Sequence, residues 1–157
     1  MPDDAFIADI VVDADCWAHE PAAQAIVQRA IAAAAARTGV STSGGEVAIM
    51  LTDDAAIRTL NRDWRALDKP TNVLSFPAPA QGGSEGPRMF GDIAIAFETV
   101  RREADAEGKP FADHLSHLAV HGFLHLVGHD HENDDDAETM ESLEREILAA
   151  LGVPDPY

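Results

Sequence analysis

Residues 121–131 read His-Gly-Phe-Leu-His-Leu-Val-Gly-His-Asp-His, and this run constrains the rest of the chain. Leu118, Ala119, Val120, Phe123, Leu124, Leu126 and Val127 surround the first two histidines with apolar residues, the composition of a buried helix. On a helix His121 and His125 share one face, with Cβ atoms roughly 5–6 Å apart. Buried imidazole nitrogens without partners cost roughly 1–3 kcal/mol each, so a helix that buries both must give them something to bind. One ion does so, at Zn–N distances of about 2.0–2.1 Å. Gly128 suits the left-handed position just past a helix end, and a reversal there returns His131 to the open face as a third ligand. Three protein ligands without a fourth thiolate is the pattern of a catalytic zinc site, whose remaining position holds water. The competing reading of each histidine is a satisfied core or surface residue. For His129 a solvated loop side chain competes with a role as fourth ligand.

Zinc held by neutral histidines lowers the pKa of a bound water to roughly 7, so a hydrolase is the expected class. The pattern departs from the zinc-protease helix His-Glu-x-x-His, in which the glutamate is the general base. Here Gly122 follows His121, and the nearest carboxylate is Asp130. Asp130 can act as base or orient His131. His114 and His117 extend the polar face of the same helix in a structural or supporting role. Arg65 ends an earlier helix just before Ala-Leu-Asp-Lys-Pro-Thr-Asn-Val-Leu-Ser-Phe-Pro. A guanidinium near the metal would grip a phosphate bidentately and stabilise charge developing on it. A helix-terminal arginine that offsets the macrodipole has the same sequence signature.

At 157 residues the chain is expected to form one domain, residues 1–157, with room for a real core. No apolar run approaches the roughly 18–20 residues that span a bilayer, and the first residues, Met-Pro-Asp-Asp-Ala, lack a secretory pattern. The single cysteine, Cys16, excludes an intrachain disulfide and fits a reducing compartment. The expected location is cytoplasmic, with no membrane partner. The net charge of −17 at first argues against nucleic acid. Its distribution softens the objection. Residues 58–109 carry eight basic and eight acidic side chains, leaving 20 acids against three bases elsewhere. The window around Arg65 is therefore neutral.

Strand signals fall at residues 6–12, 46–51, 71–77 and 90–97, and helical patterns at 22–37, 98–107, 111–127 and 134–151. A further helix after Thr52, its expected cap, carries Ile57, Leu60, Asn61, Trp64 and Arg65, with Lys69-Pro70 as breaker. Residues 78–87 read as a loop. Four strands with helices between and after them make an α/β or α+β sandwich, with the metal-binding helix in the C-terminal third.

Taken together, these motifs resemble the YbeY family of bacterial endoribonucleases. The resemblance rests on His121-Gly-x-Leu-His125-Leu-x-Gly128-x-Asp130-His131, on Leu60-Asn61 through Arg65, on Asp68-Lys-Pro-Thr-Asn-Val-Leu-Ser-Phe-Pro77 and on Gly91-Asp-Ile93. It implies a single-domain α+β fold with a small mixed four-stranded sheet and about five helices, zinc on His121, His125 and His131, and a functional arginine at Arg65. It also implies metal-dependent cleavage of single-stranded RNA, in maturation of the 3′ end of small-subunit ribosomal RNA and in ribosome quality control. The small ribosomal subunit and the GTPase Era are the implied partners. The family usually places tyrosine between Gly128 and Asp130, where this chain has His129. Two other readings accommodate the same pattern: a zinc amide or peptide hydrolase, and a non-enzymatic ribosome-assembly factor with structural zinc.

Overall fold

The computed structural model describes residues 6–39, 41–79, 89–129 and 132–157. Most of the loop expected at residues 78–87, and the expected site residues Asp130 and His131, lie outside the described residues. In chain order the elements are β1 (Ile7–Val12), α1 (Ala23–Arg37), β2 (Glu46–Thr52), α2 (Asp54–Arg65), β3 (Val73–Pro77), β4 (Met89–Ala96), α3 (Phe97–Glu107), α4 (Phe111–Leu126) and α5 (Asp134–Ala150). The strands form one mixed sheet in the order β1-β2-β4-β3. β1 runs parallel to β2 and β2 to β4, while β3 is antiparallel to β4 and forms an edge. This is the α+β arrangement with a small mixed sheet that the family resemblance implies, one of the two that the pattern allows.

Strand residues alternate between two faces. Val47, Ile49, Leu51, Ile93 and Ile95 point to the face covered by α1, α4 and α5, where the main core lies. Met50, Leu74, Phe76, Ala94 and Ala96 point the other way and pack with Ile57 and Leu60 of α2. β1 is left partly bare, with Ile7 and Val11 exposed. α1 buries Ala23, Val27, Ala30, Ile31, Ala34 and Ala35. Small side chains on that stripe let it lie against α4.

Three local features add to or correct the pattern's reading. Asp15–His19 form a short 3-10 helix shortly after β1. It seats Trp17, whose indole N–H donates to the Thr52 carbonyl at 2.8 Å and whose ring packs edge-on against Phe97. Asp53, not Thr52, caps α2, accepting from the backbone N–H of Ala56 at 2.9 Å. Thr52 is still the last residue of β2, and its buried hydroxyl donates to Asp13 at 2.9 Å. Finally, α2 ends at Arg65, as expected, where Ala66 takes the left-handed conformation at φ 58°. The buried Asn61 then ties the following loop down by donating to the Lys69 carbonyl at 2.9 Å.

The β3–β4 junction depends on Gly91, which has φ 138°; a Cβ there would lie 2.3 Å from the Phe76 carbonyl oxygen. Gly91→Ala is therefore expected to lower unfolding free energy by about 2 kcal/mol or more in chemical denaturation. Ala66→Gly should do the opposite. Relief of a left-handed non-glycine residue, less the entropy of an added glycine, predicts a gain of about 0.5–1 kcal/mol.

Candidate metal centre

The 3.6-residue period of α4 sets His114, His117, His121 and His125 along one flank. Successive ring centroids lie 6.2, 6.1 and 4.6 Å apart. The helix can approach the sheet at this point because Gly122 has no side chain; a Cβ there would lie 3.1 Å from Ile93 and 3.2 Å from the Ser75 hydroxyl. Ser75 uses that closeness, donating to the Gly122 carbonyl at 2.8 Å.

Facing this flank from α5 is Glu144, a carboxylate with no exposed surface. Its Oε1 lies 2.5 Å from Nδ1 of His121 and its Oε2 lies 3.2 Å from Nε2 of His117. The Tyr157 hydroxyl also donates to Oε2. Burial by itself pushes the Glu144 carboxyl up, but hydrogen bonds from His117, His121 and Tyr157 outweigh it and hold the group down to about 2. Burial, and then the adjoining carboxylate, pushes the Tyr157 hydroxyl well above its ordinary value, so it remains a donor.

An ionised carboxylate only accepts, so the hydrogen on His121 belongs on Nδ1 and its Nε2 carries the lone pair. That Nε2 faces Nε2 of His125 at 3.0 Å. Two ligands of one tetrahedral ion at 2.0–2.1 Å would be separated by roughly 3.3 Å, so the two imidazoles fit an ion with little adjustment. His117, His121 and Glu144 also form a possible metal-binding triad, their donor atoms all within 4.8 Å of one another. The first donor set is all nitrogen and the second nitrogen and oxygen, chemistry suited to zinc and to other first-row divalent ions. Beside them opens a cavity of about 370 Å³, lined by Asn72, Glu103, His114, His117, His121 and Tyr157 among others. Glu103 joins its walls, bonded to Asn72 and to Nε2 of His114, each at 2.9 Å.

Of the residues that the sequence singles out, His121 and His125 are brought together. Gly128 has φ 102°, the left-handed turn that a reversal requires. His129 is half-buried at that turn, its backbone N–H bonded to the Leu124 carbonyl at 3.0 Å. Arg65 lies at the edge strand, donating to the Ser75 carbonyl at 2.8 Å with its guanidinium 5.8 Å from the Phe76 ring centroid. Ser75 thus links Arg65 to α4 at Gly122, next to His121. Glu144 and Tyr157 escape a motif-based reading. Glu144 has one legible signal: it shares the apolar face of α5 with Met140, Ile147 and Leu148, where a carboxylate needs buried donors.

A family model described as Endoribonuclease YbeY matches residues 12–152. The chain belongs to this family. Among YbeY relatives named Endoribonuclease YbeY, one from Rhodopseudomonas palustris is 66% identical over 152 residues, 95% of this chain and 90% of its own. Another from Bradyrhizobium diazoefficiens is 64% identical over 155 residues, 96% of this chain and 85% of its own. A third from Nitrobacter winogradskyi is 63% identical over 155 residues, 96% of this chain and 82% of its own. The solution structure of a Thermotoga maritima protein shares the fold, with a TM-score of 0.55 at 21% identity over 93% of this chain and 92% of that one.

Removing the Glu144 carboxylate takes the acceptor from His117, His121 and Tyr157. Glu144→Ala is expected to cost about 3–5 kcal/mol of stability, measured by denaturation of the metal-free protein. Glu144→Gln keeps an acceptor but not the charge. It should stay folded, and any affinity of the site for a divalent metal ion should fall about 10–100-fold in competition titrations with a chelator.

Proposed function

We propose that this protein is a zinc-dependent endoribonuclease that cleaves single-stranded RNA, acting at the 3′ end of small-subunit ribosomal RNA and in ribosome quality control. The observation that carries the reading is the convergence of the His121 and His125 Nε2 atoms, one of them fixed by Glu144, in a chain of this family. His131 would complete the ligand set. When bound, zinc supplies Lewis-acid activation of water and of the phosphodiester.

The chain's own residues do the remaining work. Glu144 holds the Nδ1 hydrogen of His121 and so keeps its Nε2 lone pair aimed outward. Gly122 and Ser75 fix how far α4 stands from the sheet. Arg65 is already held by one hydrogen bond to the edge strand, and its other donors are placed to clamp a phosphate and offset the charge that builds on it. Asp130 would orient His131 or take a proton from the attacking group. Small-subunit components and the GTPase Era are the proposed partners, and the cytoplasm the proposed location. Among the described residues no helix is long and apolar enough to cross a membrane.

The test is cleavage of a 3′-extended small-subunit RNA fragment by protein stripped of metal and then reloaded with zinc. Activity should vanish on stripping and return on reloading. It should fall at least about 100-fold in His121→Ala and in Arg65→Ala, as expected when a group that stabilises transition-state charge is lost, with circular dichroism showing both folded. Folded, zinc-loaded protein that leaves RNA intact even with ribosomal subunits present would remove the nuclease reading.

A further inference from the structure

On the far side of the sheet from the histidines, α2 packs on part of the sheet and leaves a groove of about 730 Å³. Leu60 and Trp64 of α2 form one wall; Phe76, Met50 and Ala94 form the floor and opposite wall, and Asp92 lies among them. Trp64 is 72% exposed, whereas the other tryptophan, Trp17, is 3% exposed. The Trp64 ring stands edge-on to Phe76 with centroids 6.2 Å apart. Apart from that edge contact, most of the indole surface is left open to solvent.

The charges around the groove have a direction. On the same helix Arg58 pairs with Asp68 at 2.8 Å and Arg62 with Asp63 at 3.1 Å. Arg65 makes no ion pair among the described residues; its guanidinium lies over the Phe76 ring and bonds the Ser75 carbonyl. The groove therefore has an uncommitted cation beside its aromatic wall and a carboxylate, Asp92, directly opposite Phe76 in the strand register. A ligand with an anionic group outside, a flat ring in the middle and a hydrogen-bond donor on its far edge matches this order.

We infer that the groove is a subsite for one unpaired nucleotide of the RNA strand. Its base stacks on Trp64, its phosphate is held by Arg65, and Asp92 accepts from an exocyclic amino group on the base. The inference rests on the RNA reading above and places a second point of contact on it. Arg65 and Ser75 carry the strand round the edge of β3, from the groove on one face to α4 on the other. Stacking on an aromatic contributes about 1–3 kcal/mol per base and tolerates any base. The carboxylate adds discrimination, because uracil has no exocyclic amine while cytosine donates from N4. A subsite of this kind also answers the net charge of −17, since grip comes from one ring and one arginine rather than from a basic surface.

The two tryptophans make the test direct. Zinc-loaded protein would be titrated with short 2′-O-methyl oligocytidine and oligouridine while tryptophan emission is followed. Oligocytidine should quench the exposed Trp64. The quench should disappear in Trp64→Phe, which still binds, and affinity should fall about tenfold or more in Trp64→Ala. Asp92→Asn should narrow the preference for cytidine over uridine. An unquenched wild type whose Trp64→Ala variant binds and cleaves RNA normally overturns the subsite and leaves the nuclease reading standing. Loss of association with purified small subunits in that variant, with naked-RNA binding unchanged, assigns the groove to protein docking and also overturns it. Protein that neither binds nor cleaves RNA, with zinc loaded and fold intact, removes both readings.

Discussion

The distance between α4 and the sheet governs the rest of this molecule. Gly122 is the point of contact, with β4 Ile93 and β3 Val73 and Ser75 close enough that a methyl group would have to displace them. That closeness buries Leu115, Ala119, Phe123 and Leu124 on one side of the helix. It leaves His114, His117 and His121 of the polar flank lining a cavity. The small residues of α1 serve the same end from the next position in the layer. A helix held this tightly on two sides has little freedom to rotate, so the imidazoles are placed before any ion arrives.

A buried carboxylate completes that placement. Glu144 has lost all exposure to water, and an unpaired charge in such a position would be too costly to keep. Its two oxygens are met by His117, His121 and the Tyr157 hydroxyl, so the desolvation is offset by three hydrogen bonds rather than by a single ion pair. The same bonds decide the tautomer of His121. Structural stability and metal chemistry therefore draw on one group. Surface pairs such as Arg58–Asp68 and Arg145–Asp155 are exposed on both sides and contribute far less.

The two faces of the sheet are used unequally. One is sealed by three helices and supplies the core. The other is covered by α2 alone, which is why apolar strand residues and Trp64 remain within reach of solvent. Because β3 is an edge strand, its outward carbonyl at Ser75 is available to Arg65, and its side chains connect both faces within a few residues. An enzyme that handles a polymer needs contacts beyond the reacting bond, and this asymmetry provides a surface for them.

Local signals in the sequence determined a good deal. The i, i+4 histidines, the Gly128 stop, the alanine-rich stripe of α1 and the alternation of β2 and β4 are near-neighbour patterns, and each element lies within a few residues of where its pattern places it. Where neighbouring residues compete for one local role the pattern is weaker: Asp53 rather than Thr52 caps α2, because Thr52 is spent on Asp13 and Trp17, both far away in sequence. The 3-10 turn at Asp15–His19 is set by where Trp17 can be buried, again a distant condition. Tertiary structure alone decided the strand order β1-β2-β4-β3, the pairing of Glu144 with His121, and the position of Arg65 against Ser75. Each joins residues ten or more apart, so no local periodicity encodes it. A carboxylate in the apolar stripe of α5 tells the reader that buried donors must exist; only the packing of α5 on α4 says which donors they are.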